Sequence, residues 1–175
     1  MDPPKAYGVL LFDDFTTLDV MGPLAFFNSL PDVRIHIIHD SYSPVSSGDN
    51  WPSDDRFAGQ LYMPTHTMDD APEIDVLVVP GGWATRRLVN DTRWDQFVLR
   101  TYPNLKYIFS ICTGASIVAR SGVLDGRRAT TNKAAYRWVE SQGPRVSWIA
   151  EARWVVDGNI WTSSGELGSL SPLPL

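Results

Sequence analysis

The sequence predicts an α/β fold with a mostly parallel sheet, and three observations carry that expectation. First, short predominantly apolar runs recur along the chain: Tyr7–Phe12, which is continuous, Val33–Ile38, Ile74–Val79 and Tyr107–Ile111. Continuous rather than alternating hydrophobicity marks strands buried on both faces. Second, stretches with helical spacing separate these runs, the order that builds strand–helix–strand units. Third, three marked loops follow such runs: Asp13–Gly22, Gly81-Gly82-Trp83 and Cys112-Thr113. Open parallel sheets carry their ligand sites beyond the carboxyl ends of the strands, so these loops are expected to converge.

Taken in order, Tyr7–Phe12 reads as the first strand, followed by the loop Asp13-Asp14-Phe15-Thr16-Thr17. Pro23 suits a first helical turn, which predicts a helix over about Leu24–Leu30 and leaves Asp19 in the loop. Val33–Ile38 is strand two. Ser41–Gly59, rich in Ser, Pro, Gly and Asp, reads as a loop or a pair of short strands, and Met63–Pro72 as irregular. Ile74–Val79 is a buried strand ending in Pro80-Gly81-Gly82-Trp83, and Trp94–Thr101 a helix. Tyr107–Ile111 is a buried strand that turns sharply at Cys112 into a helix through Thr113, Gly114, Ala115 and Ser116. Ala134–Ser141 reads as a further helix and Val146–Ile149 as a short strand. Trp154–Val156 and Asn159–Thr162 flank Asp157-Gly158 as a β-hairpin. No internal repeat or low-complexity segment interrupts the pattern.

Composition narrows the function classes. The chain of 175 residues fits one domain with a real core. With 43% hydrophobic and 20% charged residues it reads as globular rather than disordered. A net charge of −5 without any Lys/Arg run gives no electrostatic support for nucleic-acid binding. The single cysteine excludes an intrachain disulfide and a Cys-based zinc site, and suits a reducing compartment. The apolar run in MDPPKAYGVLLF is too short for a secretory signal, and no segment approaches the ~20 apolar residues of a membrane span. A cytoplasmic protein without membrane attachment is the expectation.

Cys112 is the leading candidate for chemistry. It sits where a buried strand meets a helix, the geometry of a nucleophile elbow. A helix N-terminus there is expected to lower the thiol pKa. The competing reading is a buried free cysteine that only packs. Asp19, between Leu18 and Val20, is a carboxylate among apolar groups, suited to proton transfer near neutral pH. As an alternative it caps a helix. Gly81-Gly82 and the Thr113 N–H are candidate oxyanion donors, with an ordinary turn as the alternative for the glycines. Trp83 and Trp51 are candidate walls of an apolar pocket. His36, His39 and His66 all lie far upstream of Cys112 and read as structural.

Four ordered motifs, YGVLLFDDFTTLDVMGP, DVLVVPGG, SICTGASIVARSGVLDGRRATT and DGNIWTSSG, resemble the ThiJ/PfpI superfamily over roughly Ala6–Gly165. Asp19 in LDVMGP together with the CTG turn resembles the isonitrile hydratase branch. The resemblance implies a flavodoxin-like three-layer sandwich, usually a homodimer, acting on a small molecule without metal or organic cofactor. It implies Cys112 as nucleophile, Asp19 as the proton-handling carboxylate, and Gly82 and Thr113 as surrounding donors. The chemistry implied is hydration of an isonitrile to an N-substituted formamide.

Two departures qualify this. Several members carry a His shortly after the elbow helix, where ATTNKAAY has Asn132, which argues against a Cys-His dyad and hence against protease or deglycase chemistry. Members also continue after TSSG with helical structure, whereas Glu166–Leu175 has two prolines and no helical period. The expectation is one domain over 1–165, a flexible tail over 166–175, and a missing C-terminal helical part that leaves one sheet face uncovered. A redox-sensing or non-catalytic member, and a ligand-sensing domain, are the alternatives to the enzyme.

Overall fold

The computed structural model describes residues 2–48 and 59–165. Trp51 and the expected tail, 166–175, lie outside the described residues. The core element is a seven-stranded sheet of order β10-β11-β7-β6-β1-β2-β5. Its strands are β1 (Ala6–Leu10), β2 (Arg34–His39), β5 (His66–Thr67), β6 (Val76–Val79), β7 (Tyr107–Ile111), β10 (Trp154–Asp157) and β11 (Ile160–Ser163). All neighbours pair in parallel except β10, which runs antiparallel to β11 across the expected hairpin. With its helices this is a flavodoxin-like α/β sandwich. From β1 the chain first builds outward through β2 and β5, then returns to lay β6, β7 and β11 on the other side. The switch point therefore lies between β1 and β6, where such sheets open a crevice.

The central strands form where predominantly apolar runs were read. Leu10, Leu77, Ile108 and Ile160 are all at most 1% exposed. Within Ser41–Gly59, read as a loop or a pair of short strands, the described residues form β3 (Val45–Ser46), and its partner β4 (Leu61–Tyr62) lies beyond that stretch. Two further short strands pair in parallel, β8 (Arg128–Ala129) and β9 (Ser147–Trp148). The strands β5 and β8 escape the sequence reading because two residues show no period. What fixes them is pairing to a partner: β5 forms on β2 through Ile38–His66 and His39–Thr67.

The first helix corrects an expectation. It runs from Thr17 to Phe27 (α1), so Asp19 lies in its first turn rather than in a loop. Pro23 sits in the helix interior, where it removes one backbone hydrogen bond yet keeps a helical φ. Burial of Val20 and Leu24 against the core offsets that loss. A short helix α2 (Thr85–Leu88), not foreseen, follows the Gly81-Gly82 turn. Helix α3 (Thr92–Thr101) starts with Asp91 accepting the Arg93 N–H, and α4 (Ala115–Arg120) and α5 (Tyr136–Gln142) complete the set.

The two faces of the sheet are covered unequally by the described residues. On β7, Ile108 and Ser110 are buried while Tyr107, Phe109 and Ile111 are only half-buried. Phe27 of α1 stacks near Tyr7 and Phe109 on that second face, and Trp161 packs on Phe109. Trp154 and Phe26 remain more than half exposed. The alternation on β7 departs from the continuous burial that the sequence led us to expect of it.

On the better covered side, α3 packs against α4, and Asp95 of α3 meets Arg120 of α4 at 3.3 Å. Burial nevertheless dominates and pushes the Asp95 carboxyl up to about 6. A raised folded-state pKa favours the neutral acid. Its contribution is complete below the ordinary value of 3.8 and is lost as pH rises through 6. Asp95→Asn keeps the side chain neutral throughout. Its thermal midpoint should match wild type at pH 4 and exceed it at pH 8 by circular dichroism. Equal midpoints at pH 8 would show that the Arg120 pair outweighs burial.

Candidate active site

Cys112 follows β7 directly and adopts φ 55°, the left-handed region, which costs a side-chain-bearing residue about 1–2 kcal/mol. Its neighbours hold it there. Thr131 donates its hydroxyl to the Cys112 carbonyl at 2.8 Å. Cys112–Gly114 forms a 3-10 turn that runs into α4. A Cβ on Gly114 would sit 2.6 Å from the Pro80 carbonyl oxygen, so glycine is what lets α4 start against the end of β6. This is the sharp strand-to-helix turn expected from the sequence.

The loops after β1 and β6 are stitched together beside it. Phe15 and Gly82 form an isolated antiparallel bridge. Thr16 N–H donates to the Gly81 carbonyl at 2.8 Å, and Trp83 N–H to the Asp14 carbonyl at 3.0 Å. Asp19, 3% exposed, is carried inward on the first turn of α1 and accepts the Gly81 N–H at 3.1 Å. A Cβ on Gly81 would meet Cys112 Cβ at 2.6 Å, the Thr113 nitrogen at 2.8 Å and Asp19 Oδ2 at 2.9 Å. Asp19 and Cys112 thus press against the same point, and only a glycine hydrogen fits between them. On the opposite side the backbone of Gly165 packs against Cys112, at φ 69°.

The three loops converge as the sequence implied, but the glycine amides do a different job from the one foreseen. Gly81 N–H is engaged by Asp19, and Gly82 N–H donates to Thr113 Oγ1 at 3.1 Å, while the Thr113 hydroxyl donates to the Gly82 carbonyl at 3.2 Å. In this geometry both amides position Asp19 and Thr113 rather than standing free as oxyanion donors. Trp83, half exposed, does line the cavity.

That cavity measures about 310 Å³ and is lined by Thr16, Trp83, Arg86, Cys112, Thr113 and Asn132, among others. The thiol within it does not behave as its helix-terminal position suggested. Burial, and next the Asp19 charge, push Cys112 up to about 12. The Thr113 N–H, the Asn132 side chain and the Thr113 hydroxyl pull the other way but are outweighed. The helix α4 has only six residues, so its dipole is a weak counterweight.

Asn132, at the place where a His was looked for, turns its side chain to the thiol and accepts the Ala135 N–H at 3.0 Å. Among the described residues no histidine lines the cavity. His39 is a buried structural group, with Nδ1 2.8 Å from the Leu11 carbonyl and Nε2 2.9 Å from Asp40. His36 and His66 pack on one another at the sheet edge. Among the described residues no three His, Cys, Asp or Glu side chains gather as metal ligands. Sequence reasoning missed Arg86, which enters the cavity from α2, and Trp138, which stacks on it from α5. The spacing Trp83-x-x-Arg86 after a Gly-Gly turn was the only available signal for the first.

A parallel sheet whose central strand delivers a strained, buried cysteine into a cavity defines an α/β protein of the nucleophile-elbow class. The DJ-1/PfpI family profile matches residues 5–170, and the chain belongs to that family. It is 34% identical over 158 residues to an isonitrile hydratase from Pseudomonas putida, covering 90% of this chain and 64% of that protein. It is 28% identical over 166 residues to the HTH-type transcriptional regulator GbdR of Pseudomonas aeruginosa, covering 93% of this chain but only 43% of the regulator. Among solved structures, a ThiJ/PfpI family protein from Pseudomonas syringae superposes with a TM-score of 0.78 at 30% identity, covering 96% of this chain and 65% of that one. The chain therefore spans less than two thirds of the length of these relatives.

The electrostatics predict how Cys112 alkylates. The iodoacetamide rate in the wild type should climb about tenfold per pH unit from pH 8 to 10.5 without a plateau, because the thiolate fraction is still growing. Asp19→Asn removes a repelling charge and should raise the rate at pH 8 several-fold. A wild-type plateau near pH 7 would refute the elevated thiol pKa.

Proposed function

We propose that this chain is a cysteine-dependent enzyme that hydrates isonitriles to N-substituted formamides. The observation that carries the reading is the placement of Asp19 and Cys112 against the single Gly81 hydrogen, with Asn132 rather than a histidine beside the sulfur. A thiol that keeps its proton, next to a buried carboxylate, is arranged to add both sulfur and hydrogen to one carbon.

The terminal carbon of an isonitrile accepts both. In the first step Cys112 Sγ forms a bond to that carbon while its proton passes to Asp19. Asp19 then delivers the proton to the same carbon as negative charge develops there, giving an S-bound thioimidate and restoring the carboxylate. In the second step water adds to the thioimidate carbon, the S–C bond breaks, and Cys112 regains a proton. Substrate, one water and product formamide balance. Covalent catalysis of this kind replaces one difficult step by two easier ones. The Thr113 N–H and the Asn132 side chain, both on the sulfur, would steady the charge it carries in each step.

The same electrostatics speak against an oxidation sensor. Reversible oxidation works through a thiolate, whereas burial and the Asp19 charge push Cys112 up to about 12.

Formation of N-phenylformamide from phenyl isonitrile tests the reading. Cys112→Ala should abolish turnover, and Asp19→Asn should lower it by about 10²–10⁴. Circular dichroism must show each variant folded. Activity surviving in Cys112→Ala would remove the mechanism.

A further inference from the structure

Arg86 differs in setting from the described arginines that pair with acids. Its neighbour Arg87 pairs with Asp14 at 2.6 Å, and Arg93, Arg120, Arg127 and Arg145 each meet a carboxylate. Arg86 faces the cavity that holds Cys112, yet among the described residues it has neither an ion-pair partner nor a side-chain hydrogen-bond acceptor. Asp19 is engaged by Gly81 and Asp14 by Arg87, so neither local carboxylate neutralises it.

Two indoles hold it instead. Its guanidinium carbon lies 4.0 Å from the ring centroid of Trp83 and 4.9 Å from that of Trp138. Stacking engages the flat faces of a guanidinium and leaves its in-plane N–H donors available. The group is half-buried, so it has lost part of its hydration without gaining an anion, and burial works against its charge. A planar fork of donors, fixed in orientation, partly desolvated and unneutralised, matches a carboxylate, which accepts two parallel N–H bonds. The immobilisation cost of a long side chain is already met by the stack.

We propose that Arg86 is the anion-recognising residue of this pocket, and that the substrate is a small isonitrile bearing a carboxylate held by Arg86 while its terminal carbon meets Cys112. This rests on the reading of Cys112 as the nucleophile. Trp83 and Trp138 position the guanidinium, and the carboxylate fixes the register of the substrate along the cavity.

Paired alkylating agents test the recognition without requiring hydratase activity. Iodoacetate and iodoacetamide place the same carbon on Cys112 and differ only in a carboxylate or amide. In the folded wild type the ratio of their rates should favour iodoacetate by about tenfold over the ratio in urea, the advantage of a charge-assisted pair. Arg86→Gln should return the ratio to the urea value; the loss of the Arg86 charge beside Cys112 alters the thiolate for both reagents alike and cancels in the ratio. Arg86→Lys should keep part of the preference. A ratio equal in wild type and Arg86→Gln would overturn the proposal. So would equal loss of both rates, the mark of a stack that only shapes the pocket. Protection of wild-type Cys112 from iodoacetamide by N-formylglycine, and not by its amide, gives the same answer without a variant, and equal protection by both would overturn it. Turnover of isocyanoacetate and its methyl ester separates the two readings. A KM advantage for the acid that disappears in Arg86→Gln supports both. A carboxylate-dependent alkylation ratio without turnover of either compound sinks the hydratase reading alone. Turnover that ignores the carboxylate sinks the Arg86 proposal alone.

Discussion

The site depends on how closely Gly81 lets two side chains from distant parts of the chain approach. Asp19 arrives on the first turn of α1 and Cys112 at the end of β7, and both contact the space a Gly81 Cβ would fill. The Gly81 N–H binds Asp19 while its carbonyl accepts the Thr16 N–H, so the glycine also ties the two loops together. Gly82 and Gly114 serve the same closure. A side chain at either would run into the backbone of Asp14–Phe15 or of Val79–Pro80. Each glycine is set by a backbone that passes too near for a Cβ, which is a property of the assembled loops.

That closure determines the electrostatics. Excluding water from Cys112 and setting a carboxylate beside it disfavour the thiolate, and the short helix behind it does not reverse this. The result is a site that disfavours a standing thiolate on Cys112. Arg86 supplies the opposite charge in the cavity lining, held by aromatic faces instead of by an acid. Negative charge on Asp19 lies beside the thiol, and the positive charge of Arg86 lines the same cavity. This arrangement suits a substrate with a neutral reacting carbon and an anionic tail.

Behind the site the sheet is asymmetric. One face is sealed by α3 and α4, while the other carries the Tyr7, Phe27, Phe109 and Trp161 cluster with α1 as its cover among the described residues. Parallel sheets ordinarily bury both faces. Tyr107, Phe109 and Ile111 are half-buried on the very strand that delivers Cys112.

Much of this was legible in the sequence. Predominantly apolar runs located β1, β2, β6 and β7, because each lays apolar side chains on the core. The loops that follow β1, β6 and β7 were marked by Asp, Gly and Cys, and parallel topology was enough to bring them together. The start of α1 was not legible, since Gly22 and Pro23 argue locally for a break and only burial of Val20 and Leu24 overrides them. The short strands β5 and β8 exist through their partners alone. The protonation of Cys112 depends on desolvation and on a charge brought in from α1, and the role of Arg86 on a tryptophan brought in from α5. The chain by itself determined the layers, the elbow and the cysteine placed on it. Only the tertiary structure decided its charge state and which cation faces it, because burial and Coulomb interactions act through space and leave no period in a sequence.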